Sequence, residues 1–166
     1  GLEIPKKYKG KGFSTLAHSS IIKMIASRSV PTAVSTMVPN SLGPAELIQK
    51  YGNESQKKQF LTALAQGKEI PCFALTETMA GSDATSIEAE GLLFQDPKSK
   101  KLMIKLNFSK RYITLAPVAT LLGIAFQLHD PEQHFSKEKK LGITLALISH
   151  KQKGISIKKH DPLGLA

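Results

Sequence analysis

The hydrophobic pattern changes period near Ile70-Pro71, and this change constrains the fold more than any single motif does. Before it, apolar residues recur at the three-and-four spacing of a helix face. After it, they fall into short β-branched and aromatic runs. Ser14 is placed to cap a helix whose apolar face is Leu16, Ala17, Ile21, Ile22 and Ile25. Pro31 bars a simple continuation, and the β-branched run 32–38 fits helix or strand on its own. Asn40-Ser41-Leu42-Gly43-Pro44 opens a second helix: Pro44 suits its first turn, Glu46 suits the positive end of its dipole, and Gly52 follows as a stop. Asn53, followed three residues later by Gln56, has the capping-box spacing. It opens a third helix with Phe60, Leu61 and Leu64 as its stripe and Gly67 at its end.

Beyond residue 70, the runs 70–77, 102–108, 118–129, 143–149 and 155–158 read as strands. Ala80-Gly81-Ser82-Asp83, Asp96-Pro97 and Asp130-Pro131 are the turn signals between them. Hairpin-scale spacing without intervening helices predicts an antiparallel barrel or sandwich. The expectation is therefore an α+β chain, helical over 1–70 and an antiparallel β-barrel or sandwich over 71–166.

Charge and cysteine content narrow the function. Lys+Arg 23 against Asp+Glu 13 gives a net charge of +10, which favours an anionic partner: nucleic acid, a phosphate-bearing ligand or a lipid surface. Only Arg28 and Arg111 are arginines, and the commonest specific base contact is an Arg fork on guanine, so base-specific DNA reading is disfavoured. Lys6, Lys7, Lys9 and Lys11 crowd one segment, and Lys98, Lys100 and Lys101, and Lys137, Lys139 and Lys140, crowd two others. The default reading of such runs is solvated surface. A lone cysteine, Cys72, closes no intrachain disulfide, and His18, His129, His134, His150 and His160 lack HxH or HxxxH spacing, so no metal site is expected. The apolar stretch 118–128 is short of the roughly 17 residues a membrane-spanning helix needs. The chain opens on Gly1 and closes on Pro162-Leu163-Gly164-Leu165-Ala166, which reads as mid-chain, so an internal fragment is expected.

The sharpest local feature is Phe73-Ala74-Leu75-Thr76-Glu77-Thr78-Met79-Ala80-Gly81-Ser82-Asp83. Physically it is a strand running into a small-residue turn. Thr76 presents a hydroxyl at the strand end, Gly81 lets the backbone approach a ligand, and Ser82 and Asp83 offer polar groups beside it. Taken alone, Gly-Ser-Asp is a common turn. The whole segment resembles the signature of the acyl-CoA dehydrogenase flavoproteins: a small residue, an aliphatic, Thr or Ser, usually Glu, two variable residues, a small residue, then Gly-Ser-Asp. Ile4-Pro5 with Gly10 and Gly12 resembles that family's Ile-Pro-x-x-Tyr-Gly-Gly segment. Pro39-Asn40-Ser41-Leu42-Gly43 with Tyr51-Gly52 and Gln56-Lys57-Lys58 resembles its last helices before the barrel, and Tyr112-Ile113-Thr114 stands where most members carry Trp-Ile-Thr. The run from Lys110 to Thr120 is most similar to the large bacterial long-chain acyl-CoA dehydrogenases of fatty-acid β-oxidation. Three departures are plain: Lys9 replaces the first Gly of Gly-Gly, Tyr112 replaces Trp, and Leu115-Ala116-Pro117 replaces Asn-Gly-Gly.

The resemblance implies the end of an all-α N-terminal domain followed by a middle β-domain, FAD as cofactor, and conversion of an acyl-CoA to a trans-2-enoyl-CoA. It places Phe73, Leu75 and Thr76 along the flavin edge, Thr76 donating to the pyrimidine side. Thr114 falls near flavin N5, Tyr112 against the ring system, and Ser82 where the flavin pyrophosphate and the CoA of the substrate approach. Phe73 and Leu75 also fit core-facing strand positions, and Tyr112 a half-buried strand aromatic. Glu77 is declined as catalytic base, because the family's base lies in a helical domain after the barrel. No catalytic residue is assigned here, and the fragment itself is expected to be inactive. The implied partners are an acyl-CoA substrate and an electron-accepting flavoprotein, without nucleic acid, and with room for peripheral membrane contact and a homo-oligomer of the full-length protein. The implied location is cytoplasmic, with the inner membrane as a peripheral surface. Two rivals remain: a non-catalytic basic module binding nucleic acid or an anionic membrane, and a short remnant that keeps the fold without the chemistry.

Overall fold

The computed structural model describes residues 1–38 and 43–158. The expected helix entry at Asn40-Ser41-Leu42, the motif position Pro39, His160 and the closing Pro162-Leu163-Gly164-Leu165-Ala166 lie outside the described residues.

Two compact units divide the chain. One contains 1–72, 114–122 and the residues from Ile148 onward; the other contains Phe73–Ile113 and Gly123–Leu147. In the first unit, the opening segment doubles back on itself. Lys11 N–H donates to Gly1 O, Phe13 N–H to Leu2 O, and Gly12 N–H to Ile4 O, around a 3-10 turn at Lys6–Tyr8. Lys9, where the family pattern has glycine, is left-handed (φ 66°). Gly10 has no alternative, since a Cβ there would lie 1.9 Å from Ile4 O.

Four helical segments follow. In α1 (Thr15–Ala26), Ser14 accepts from Ala17 N–H, as its spacing predicts. The ambiguous run 32–38 falls in α2 (Val30–Met37) and its C-cap Val38; the Ser29 side chain caps its start, with Pro31 in the first turn. There proline's missing N–H costs nothing, because that donor has no intrahelical partner. Then α3 (Pro44–Tyr51) ends at Gly52. Asn53 and Gln56 form the reciprocal capping box at the start of α4 (Glu54–Gln56), which continues through a π-turn (Lys57–Leu61) into α5 (Thr62–Ala65). Leu61 and Leu64 from this stripe are buried with Ile4, Ala45 and Ile48.

The strands are β1 (Pro71–Ala74), β2 (Glu90–Gln95), β3 (Leu102–Asn107), β4 (Leu121–His129) and β5 (Lys140–Ser149). They make one five-stranded sheet ordered β1-β4-β2-β3, with β5 also pairing β4. Helices thus precede strands, as the change of period requires. The pairing is not antiparallel throughout. β2 and β3 are antiparallel, with Leu93 opposite Ile104, but β2 and β4 are parallel, with Gly91 opposite Leu128. β3 and residues 108–120 supply the length that a parallel return needs. β4 is buried over its first six residues, as a central strand is. It begins at Leu121 rather than Val118, because Ala116–Val118, containing Pro117, is a 3-10 turn. The expected strand at 155–158 is absent from the ladder. Conversely, β2 lacks a clear strand signature because Gly91 interrupts it; the Phe126 ring fills the place of its side chain, 2.5 Å from a built Cβ.

Candidate functional site

The candidate residues Phe73, Leu75, Thr76, Ser82 and Tyr112 lie in the second unit, and Thr114 opens the first unit's middle stretch. Phe73 is half-buried in β1. Leu75 packs against the buried cluster Ala80, Ile87 and Ala125, so the core-facing reading holds for it. Thr76 is half-buried and its carbonyl accepts from Arg111 N–H at 2.9 Å. That bond sets the strand end carrying Leu75 and Thr76 beside the stretch carrying Tyr112.

Tyr112 is left-handed (φ 56°) and 65% exposed, with the Arg111 guanidinium 4.5 Å from its ring centre. It is therefore an exposed loop aromatic, and the half-buried strand reading does not hold. Leu115, in the place of the family's Asn, is also left-handed (φ 66°). Asn takes that conformation more readily than a bulky aliphatic does.

The turn after Thr76 is held from beneath. Glu77 N–H donates to Ala80 O at 3.1 Å, closing it. The Glu77 carboxylate is buried; Oε2 accepts from Glu88 N–H at 2.6 Å and Oε1 from Ala89 N–H at 3.1 Å. Lys110 Nζ lies 2.6 Å from Oε1 and donates also to Leu75 O at 3.0 Å. Burial pushes the Glu77 carboxyl upward, but the Lys110 hydrogen bond, the two backbone donors and the Lys110 charge outweigh it and hold its pKa below the ordinary carboxylate value. A carboxylate so occupied keeps its charge and makes a poor proton acceptor, in agreement with declining it as the base. Lys110 carries no sequence signal of this role: next to Arg111 it reads as one more surface cation.

Gly81, Ser82 and Asp83 are exposed. Asp83 is turned to structural work. Its carboxylate accepts from Thr85 N–H at 3.1 Å and from the Thr85 and Ser86 hydroxyls, capping the 3-10 turn Ala84–Ser86. The Ser86 bond, then the Thr85 bonds, hold its carboxyl below the usual range. Gly81 has no structural reason to be glycine: a Cβ there would meet nothing within 4 Å, and its φ lies outside the left-handed region. Open space beside a glycine next to exposed Ser82 is the arrangement expected where a ligand passes close to the backbone. In this respect the residues present fit a flavin and its pyrophosphate.

Comparison with known proteins places the chain in a family. A family model described as "Acyl-CoA dehydrogenase, N-terminal domain" matches residues 1–68, and one described as "Acyl-CoA dehydrogenase, middle domain" matches 72–166. The chain is 33% identical to the 3-(aryl)acrylate reductase of Clostridium sporogenes, covering 99% of the chain and 41% of that protein. It is 31% identical to an acyl-CoA dehydrogenase of Bacillus subtilis, covering 99% and 40% respectively. Its fold superposes on the butyryl-CoA dehydrogenase of Megasphaera elsdenii with a TM-score of 0.79 and 26% identity, covering 97% of this chain and 40% of that one. The chain therefore spans about two fifths of the length of the curated relatives it matches. Two consecutive domain matches, over nearly every residue and in the family's order, leave the basic-module reading without support; this chain belongs to the acyl-CoA dehydrogenase family.

Proposed function

We propose that residues 73–82, with Tyr112 and Thr114, form the flavin-facing part of an FAD-dependent acyl-CoA dehydrogenase. The observation that carries the reading is the Thr76–Ser82 turn, held from beneath by Glu77 and open on the Gly81 side. When bound, FAD would take the hydride that leaves the acyl β-carbon as an α-proton is removed. The Thr76 hydroxyl would donate to the pyrimidine edge, and Ser82 would meet the pyrophosphate and the CoA portion of the substrate. Tyr112 would cover the ring system, and Thr114 would lie on the N5 side. Phe73 and Leu75 would line the edge, Leu75 with one side on the core. Glu77 stays ionised and paired, so the proton is taken by a group outside this set.

The units of function are proposed as 1–70, the end of the helical domain, and 71–166, the middle β-domain. The finer reading is oxidation of a long-chain acyl-CoA in fatty-acid β-oxidation, with electrons passed to a partner flavoprotein. The long-chain element rests on the run from Lys110 to Thr120 alone. A second reading, reduction of an α,β-unsaturated acid or thioester across the same carbon–carbon bond, is favoured by the arylacrylate reductase relative. No helix of the described residues is long and apolar enough to cross a membrane, and a cytoplasmic site of action is part of the proposal.

The test is anaerobic spectroscopy of the full-length protein. Acyl-CoA should bleach a bound-flavin absorbance near equivalence. A protein whose bound flavin is neither bleached by acyl-CoA nor, once reduced, reoxidised by an enoyl-CoA contradicts both readings.

A further inference from the structure

We propose that Lys110 and Glu77 are positioning residues: together they fix the backbone around Thr76 so that its hydroxyl is presented to flavin in a single geometry. The inference rests on the flavin reading above.

One bond from the pair and two from the adjoining backbone converge on three consecutive residues. Lys110 Nζ holds Leu75 O, Arg111 N–H holds Thr76 O, and Glu77 N–H closes onto Ala80 O. Glu77 carries the tie onward to the backbone at Glu88 and Ala89. None of these bonds uses the Thr76 hydroxyl. Both charged side chains are nearly sealed from water, at 4% and 6% exposure.

Stability is a weak reason to keep such a pair. Desolvating two charges offsets most of their attraction, and an apolar pair of similar volume often serves a fold as well or better. What an ion pair with directed hydrogen bonds adds is register. Here it locks the strand end at 75–77 to the stretch at 110–112, and those two stretches carry Leu75, Thr76 and Tyr112. A binding group must be held within roughly 0.5 Å of its productive place, which requires a rigid supporting layer behind it.

The experiment compares wild type, K110M, E77Q and the double variant E77Q/K110M in the full-length protein. K110M strands a buried carboxylate and should lower Tm. The double variant removes both charges and should recover most of that loss. The clamp predicts that the double variant still binds FAD at least about tenfold more weakly than wild type, with an altered visible spectrum of the bound flavin. It also predicts faster amide exchange at Arg111, Glu88 and Ala89 in protein without flavin. E77Q, which keeps the side-chain shape and one oxygen acceptor, should fall between. Wild-type FAD affinity and spectrum in the double variant, or unchanged exchange at Arg111, overturns the clamp and leaves the flavin reading intact. A wild-type protein that binds no FAD overturns the flavin reading and the clamp with it.

Discussion

Lys110 Nζ sits 2.6 Å from Glu77 Oε1 across 33 residues of sequence, with both side chains nearly sealed from solvent. This pairing joins the flavin signature to the loop that follows β3. It occupies the glutamate of that segment as one half of a buried ion pair.

The pair's energetics can be separated by a double-mutant cycle. K110M alone leaves an uncompensated buried charge and should cost about 3–5 kcal/mol. E77Q/K110M should cost much less than the sum of the single variants, because no charge is left unpaired. Equilibrium denaturation of the four proteins measures the coupling. Additive costs would show that the two side chains do not interact in solution.

Acid should unfold the second unit through its buried carboxylates. The Asp130 side chain is buried and accepts from His134 N–H at 2.9 Å and Phe135 N–H at 2.7 Å. Burial pushes its pKa upward, and the backbone donors at Phe135, His134 and Ser136 outweigh that and hold it low. Glu77 is depressed likewise. A carboxyl whose folded pKa lies below its unfolded value, about 4 for Asp or Glu, contributes stability that is present above the unfolded value. That stability is lost as pH falls through the folded one. Tm should therefore be flat from neutral pH to about 5 and fall steeply below about 4. Asp130→Asn should lower Tm at neutral pH and flatten the acid slope. A variant as steep as wild type contradicts the assignment.

Lys9→Gly should stabilise the first unit by about 0.5–1 kcal/mol. The left-handed backbone at φ 66° penalises a Cβ by roughly 1–2 kcal/mol, and glycine returns part of that gain as entropy of the unfolded chain. Gly10→Ala should destabilise by about 3 kcal/mol, because its Cβ would meet Ile4 O. Thermal melts of both variants check the pair. A destabilised Lys9→Gly would show that the lysine side chain contributes more than its backbone strain costs.

Local chemistry was legible and long-range chemistry was not. The Ser14 cap and the Asn53–Gln56 capping box are satisfied by groups three residues away, so spacing alone announces them. The family was legible for a related reason: the segment from Phe73 to Asp83 that carries the resemblance is contiguous in sequence. The run 32–38 stayed ambiguous, because β-branched residues suit both states and the deciding partner, Ser29, lies outside it. β2 was hidden by Gly91, whose reason is Phe126, far along the chain. Lys110 was hidden by its type, since lysine is almost always solvated and only its packing against Leu75 and Glu77 reveals otherwise. Asp130-Pro131 read as a turn, which it is; that the aspartate is buried and holds the loop's backbone follows only from the fold.

The central claim is that the Thr76–Ser82 turn holds flavin, and Gly81 tests it most directly. A Cβ at Gly81 would meet nothing within 4 Å, so the fold should accept Gly81→Val with little change in Tm. FAD titration of the full-length protein, followed by visible absorbance and flavin fluorescence, should then show tight binding in wild type and at least about a tenfold loss in Gly81→Val. Equal FAD affinity in the two proteins would contradict the account.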